Sequence, residues 1–185
     1  MKLLLRLVGF LSLTSILTIS SFSQRHREPF TPAEIDQIRD TSWQPEQRLV
    51  LYVKFARARL VTMEELRGNP KTKDRAGDTH DKLDDFLLIY DELNDNIDTY
   101  VERRNDIRRP LKAIIDADTE FQSKLLALRD AAGVTPQESG RYEFVLHNAL
   151  ETVDASVDDH RKLLDEQQET AKHKKFAKAT SGKLE

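Results

Sequence analysis

The chain has 185 residues, 33% of them charged, a formal charge of −3 and no cysteine. The missing thiol excludes disulfides, cysteine nucleophiles, cysteine-ligated zinc, iron–sulfur clusters and haem attached through C-x-x-C-H in one stroke. A mildly acidic, mixed-sign charge lacks the basic face of a nucleic-acid binder and suits long, solvated helix surfaces.

The first 23 residues read as a secretory signal peptide. Lys2 opens them, an apolar run from Leu3 to Ile19 has one charged interruption at Arg6 and a few Ser and Thr within it, and Ser21 and Ser23 supply small residues ahead of a cleavage point before Gln24. After Arg6 the run is about 13 residues long, short of the ~20 a spanning helix needs, which favours cleavage over retention as an anchor. No cysteine follows to carry a lipid. Losing the two positive charges of Lys2 and Arg6 takes the formal charge from −3 to −5. About 160 residues then remain, enough for one ordinary core.

Residues 24–44 are expected to form a leader with one short helix. Gln24 to Phe30 is polar and aperiodic. Thr31-Pro32-Ala33-Glu34 is a capping box with proline at the first helical position, and the helix it starts ends near Asp40-Thr41-Ser42. Pro45 opens a second helix to about Arg67, striped by Leu49, Val53, Ala56, Leu60 and Met63. Trp43, just outside it, is placed to fold back on its first turns. Gly68-Asn69-Pro70 stops this helix, and a polar loop runs through Gly77 to a cap at Asp78 or Thr79.

From His80 to Asp130 apolar residues recur at alternating three- and four-residue spacing, the seam of helices that pack along their length, as in coiled coils. The seam comprises Leu83, Phe86, Tyr90, Leu93, Ile97 and Tyr100, then Ile107, Leu111, Ile114, Phe121, Leu125 and Leu128, with Arg104 and Asp118 at two of its positions. Pro110 poses a fork. The phase crosses it unbroken and no Gly, Asn, Asp or Ser lies between Ile107 and Ala113, so one helix kinked at Pro110 is predicted. The alternative ends a helix at Arg108, starts another at Pro110, and turns Arg104 toward Asp118.

Gly133 is a proper helix stop and Thr135-Pro136-Gln137-Glu138 a second capping box. The Leu-Thr-x-x-Gln signature of small periplasmic helical stress chaperones is not met at either box, since Phe30 and Val134 stand for Leu, and Glu34 and Glu138 for Gln. The last helix carries Tyr142, Leu146, Ala149, Val153, Val157, His160 and Leu164 on one face. Residues 172–185, with Lys172, Lys174, Lys175 and Lys178, read as a basic disordered tail. The fold class is therefore all-α. The domain, residues 45–171, is predicted as an elongated antiparallel bundle of three long helices, the alternative being a compact four-helix bundle.

Chemistry-bearing constellations reduce to structural ones. A di-iron bundle needs Glu-x-x-His on two helices, but Gly77, Phe144 and Val157 stand three residues before His80, His147 and His160. Glu143 and His147, one turn apart, are half a metal site without the other ligands. His160 on the apolar face is expected to bond a neighbouring side chain, and Arg104 and Asp118 to set helix registry. The acidic cluster Asp84, Asp85, Asp91, Glu92, Asp95 and Asp98 lacks the loop of a calcium hand and reads as a solvated face. Neither a Gly-x-Ser-x-Gly elbow nor a glycine-rich phosphate loop occurs. No catalytic, cofactor-binding or metal residue is assigned, and no cofactor. The resulting expectation is a non-enzymatic protein exported to the periplasm or beyond the cell, acting on an unknown protein or envelope partner. A periplasmic helical chaperone or stress-sensing binder is the alternative. The tail lysines, beside Phe176, are suited to weak contact with anionic surfaces.

Overall fold

A computed structural model describes residues 28–181, with side chains through Lys175. The signal-peptide reading lies outside the described residues. Those described form a helical bundle without strands: α1 Pro32–Asp40, α2 Pro45–Gly68, α3 Arg75–Glu102, α4 Arg108–Arg129, α5 Pro136–Ser139 and α6 Glu143–Ser181. None of these helices is long and apolar enough to cross a membrane.

Four of them enclose the core. α2 packs on α3 and α4, and α6 packs on α4 and α3, so the ring runs α2–α3–α6–α4 and α3 faces α4 across its diagonal. Inter-helix bonds fix the directions. Arg48 to Asn96 and Arg67 to Thr79 run α3 antiparallel to α2. Gln122 to Asp154 and Asp118 to His160 do the same for α4 and α6. Arg57 to Glu120 and Lys124 to Glu64 leave α2 and α4 parallel. The seam residues of each helix fill the centre, with Leu83, Phe86, Leu93, Ile107, Leu111, Phe121 and Leu125 all fully buried.

The continuous helix predicted from Thr79 to Asp130 does not form. Its seam is split between α3 and α4 by a turn at Arg103–Ile107, upstream of the proline. Arg104 sits at φ 59, in the left-handed region. Its amide reaches Val101 O at 2.8 Å and that of Asn105 reaches Tyr100 O at 2.9 Å, the paired bonds of a Schellman stop. An arginine does here what a glycine usually advertises. Pro110 is the third residue of α4, where amides have no intrahelical partner, so the missing N–H costs nothing and no kink results. The turn is clamped by Gln167 of α6, whose amide accepts from Ile107 N at 3.0 Å and donates to Asn105 O at 3.2 Å. Arg104 is exposed in this turn and does not meet Asp118.

Because an L-residue in this conformation is strained by roughly 1–2 kcal/mol, part of which glycine's extra chain entropy offsets, Arg104→Gly is expected to stabilise the fold by about 1 kcal/mol. A urea titration reads this as a higher midpoint at unchanged slope. A midpoint that stays or falls would mean the turn is not built this way.

Other boundaries shift for local reasons. α3 starts earlier than predicted because the Asp74 carboxylate caps it by accepting from Gly77 N at 3.1 Å. At the second expected box only the Thr135 half forms, its side chain accepting from Glu138 N, and it starts only the short α5; the helical run resumes at Glu143 beyond Gly140. Glu138 of α5 gathers Arg67 and Arg75, at 3.3 and 2.5 Å, while Arg141 pairs with Asp74, which ties this end of the bundle together. α6 stays helical to Ser181 where a disordered tail was predicted to begin at Lys172. Alanine and lysine are strong helix formers, and lysines suit the negative end of a helix dipole.

The end of the predicted flexible leader is pinned. Phe30 stacks edge-on against Tyr52 and Phe55, at 5.9 and 6.2 Å between ring centres. Arg59 holds Glu34 at 2.6 Å, both side chains mostly buried, and also donates to Pro29 O. Burial by itself would raise the Glu34 carboxyl, but Arg59 and the Thr31 amide outweigh it and hold the group below its ordinary range. Phe30 occupies the place foreseen for Trp43, which instead stands 92% exposed at the α1–α2 turn.

Candidate functional site

The heart of the bundle is polar. Asp118 of α4 is completely buried, and Tyr90 of α3 donates to one of its oxygens at 2.7 Å. The other oxygen meets His160 Nδ1 of α6 at 2.8 Å, with His160 only 4% exposed. A carboxylate against Nδ1 selects the tautomer that carries its proton there. Burial, reinforced by the Asp118 charge, pushes the Tyr90 phenol far above its ordinary value, and only the Ser156 hydroxyl works against this. Tyr90 therefore stays a donor.

Helical spacing extends the network by one turn on either side. Asn94 lies four residues beyond Tyr90 on α3, Ser156 four residues before His160 on α6, and Asn94 Nδ2 donates to Ser156 Oγ at 3.0 Å. The buried Asn94 Oδ1 accepts nothing within the described residues. Asn94, Ser156 and His160, with Ile97, Val101 and Leu163, border a surface groove of about 300 Å³ between α3 and α6. An aromatic cluster adjoins the network at Tyr90. Phe86 stacks on Tyr90 at 5.6 Å, and Phe121 meets both edge-on at 5.4 and 6.1 Å.

An imidazole oriented by a carboxylate near a serine contains parts of a nucleophilic site. Two requirements are missing. Ser156 Oγ is engaged by Asn94 rather than by His160. Both residues also lie inside α6, where main-chain amides are spent on the i→i−4 ladder and no pair is left to receive an oxyanion. What the arrangement does is fix alignment: one acceptor on α4 satisfies one donor from each of its two partners, and a slip of either helix strands a buried polar group.

Of the residues singled out by sequence, His160 and Asp118 are brought together, while Arg104 is left in the turn. His147 faces Glu151 at 3.5 Å, both exposed, not Glu143. Among the described residues no three of His, Asp and Glu gather in a way that would hold a metal. The acidic face of α3 is not uniformly solvated: Asp85 is 4% exposed and pairs with Lys82 at 2.8 Å. Asp91 is exposed, and partial desolvation, then the neighbouring Asp95, raises its carboxyl. Tyr90 was hidden as one more seam residue, although a phenol on a buried face calls for a partner for its hydroxyl.

No protein-family model, curated protein or solved structure matches the chain.

Proposed function

We propose that this chain is an exported, non-enzymatic helical protein that acts by binding a protein or envelope partner. Its scaffold we take to be the compact arrangement of α2, α3, α4 and α6 rather than an elongated three-helix one. The observation carrying the reading is a contrast. The long apolar seams are consumed by one another, while Trp43, the single tryptophan, stands in water, and Val50 of α2 is half-exposed. A large exposed aromatic costs solubility and adds nothing to the core, and such residues are the commonest anchors of protein interfaces. The leader supplies the argument for export.

Two measurements test this. Intact mass of protein recovered from outside the cytoplasm is expected to lack Met1 to Ser23; retention of that mass would make the chain anchored. A photo-crosslinking amino acid at position 43, activated in living cells, is expected to yield discrete adducts. Their absence, with adducts elsewhere on the surface, would remove Trp43 as the contact.

The alternative, a periplasmic chaperone or stress-sensing binder, has one observation in its favour. Phe144, 78% exposed, borders a groove of about 570 Å³ with Leu146 and Leu150 at the start of α6. Suppression of client aggregation that disappears in Phe144→Ser would favour that reading.

A further inference from the structure

At the far end of the bundle the charge reverses. Arg108, Arg109 and Lys112 of α4 and Lys172 and Lys175 of α6 border one open groove of about 820 Å³, against only two carboxylates, Glu46 and Asp106. In a chain of formal charge −3 this is a concentrated positive surface. Arg108 pairs with Asp106, Arg109 with Glu46, and Lys172 with Glu169, whereas Lys112 and Lys175 make no ion pair among the described residues.

Two of these cations work against the helix they start. Positive charge near a helix N-terminus opposes the helix dipole, and α4 starts with Arg108 and Arg109, no acid in its first turn and no side-chain cap. Every other described helix has an acid in its first turn. The α6 side of the groove belongs to a projecting rod. Gln167 is level with the start of α4, which it clamps, and α6 continues to Ser181, about 20 Å further at 1.5 Å per residue. That extension carries exposed Lys172, Lys174 and Lys175. The sequence adds Lys178, with Phe176, Ala177 and Ala179 interleaved.

We propose that this end of the bundle, the first turns of α4 together with α6 from Lys172 onward, is a docking surface for the phosphate headgroups of an anionic lipid bilayer. It deepens, and rests on, the reading of the chain as an envelope-interacting protein. The two guanidinium groups match phosphate oxygens in geometry, the lysines add point charge, and the projecting helix extends contact beyond a single headgroup. A lipid plane is favoured over a soluble polyanion because the cations are spread over an open end and along a rod rather than enclosed.

Vesicle sedimentation with the full chain tests the proposal. The apolar leader adds affinity for any bilayer, so the readout is the ratio of binding to phosphatidylglycerol-containing over pure phosphatidylcholine vesicles, a ratio that does not depend on cleavage or export. The expected ratio is about 10 or more at low salt, falling toward 1 at about 0.5 M salt as the charges are screened. Arg109→Glu/Lys112→Glu/Lys175→Glu is expected to abolish it with the thermal midpoint held, since all three side chains are exposed and acid suits the start of α4. The milder Lys112→Ala/Lys175→Ala is expected to lower it several-fold. A ratio near 1 for the wild type, or one untouched by both variants, overturns the surface while leaving export and the Trp43 contact standing. Inorganic polyphosphate that displaces the protein from vesicles at equal phosphate concentration overturns the choice of a bilayer.

Discussion

Asp118→Ala is expected to lower the unfolding free energy by about 3–5 kcal/mol, the range for removing one member of a buried, hydrogen-bonded charged group. The loss is that large because two partners are stranded at once. The Tyr90 hydroxyl and His160 Nδ1 both end on this carboxylate, which is 0% exposed. In a domain of this size each kcal/mol moves the melting temperature by roughly 2–4 °C, so a drop on the order of 10 °C is expected. Asp118→Asn keeps an acceptor for Tyr90 and forces His160 to accept instead of donate, and should fall between the two. The combined Tyr90→Phe/Asp118→Leu/His160→Leu should recover most of the loss, since an apolar replacement of a whole buried polar group is often neutral or better. Thermal and urea unfolding of the four proteins decides the matter. A single Asp118→Ala loss below about 1 kcal/mol would show that the network is not closed as described.

Phe121→Ala is expected to cost about 3–5 kcal/mol, the transfer free energy of the ring plus the cavity it leaves. The ring is fully buried, meets Phe86 and Tyr90 edge-on, and has the Arg57 guanidinium 5.7 Å over its face. The same side chain tests the topology. In the diagonal arrangement Phe86 and Phe121 touch, so a double-mutant cycle with leucine at both should return a coupling of about 0.5–1.5 kcal/mol. In one continuous helix these two residues would lie about 50 Å apart along the axis and the coupling would vanish. A cycle that closes to zero would reinstate the straight spine.

Local signals in the sequence determined most of the helices. The Thr31 box, the Thr135 cap, and proline at Pro32, Pro45 and Pro136 mark helix starts whose chemistry is local, whereas Gly133, although left-handed, stands in a turn beyond the end of α4, which closes at Arg129. The three- and four-residue periodicity also placed most of the buried side chains of α3, α4 and α6, because which side of a helix is apolar depends on spacing. It passed over Ala76, Asp85, Ile89, Ala117, Val145, Leu150 and Ser156, which flank the stripe and are buried by the neighbouring helices.

Tertiary structure decided what spacing does not encode. An unbroken heptad phase is compatible with a straight helix or with two helices returning on each other, since both keep Ile107, Leu111 and Ile114 on one buried face. The choice fell to a turn at Arg103–Ile107 without glycine, where Arg104 tolerates a left-handed conformation because Gln167, 63 residues further on, holds the loop backbone. Asn105 and Asp106 were the available sign of that turn, one step upstream of where the proline drew attention. The Tyr90–Asp118–His160 network was half legible. Aspartate and histidine on apolar faces announced a need for partners, but which partners meet depends on the diagonal placing of α3 and α4 and on the depth at which α6 passes them. Trp43 and Phe30 exchanged roles for the same reason: both are apolar residues ahead of α2, and which of them reaches Tyr52 and Phe55 is set by tertiary contacts that fix α1 and Pro29 against α2, the Glu34–Arg59 pair and the bonds of Arg59 to Pro29 O and Arg48 to Ile38 O.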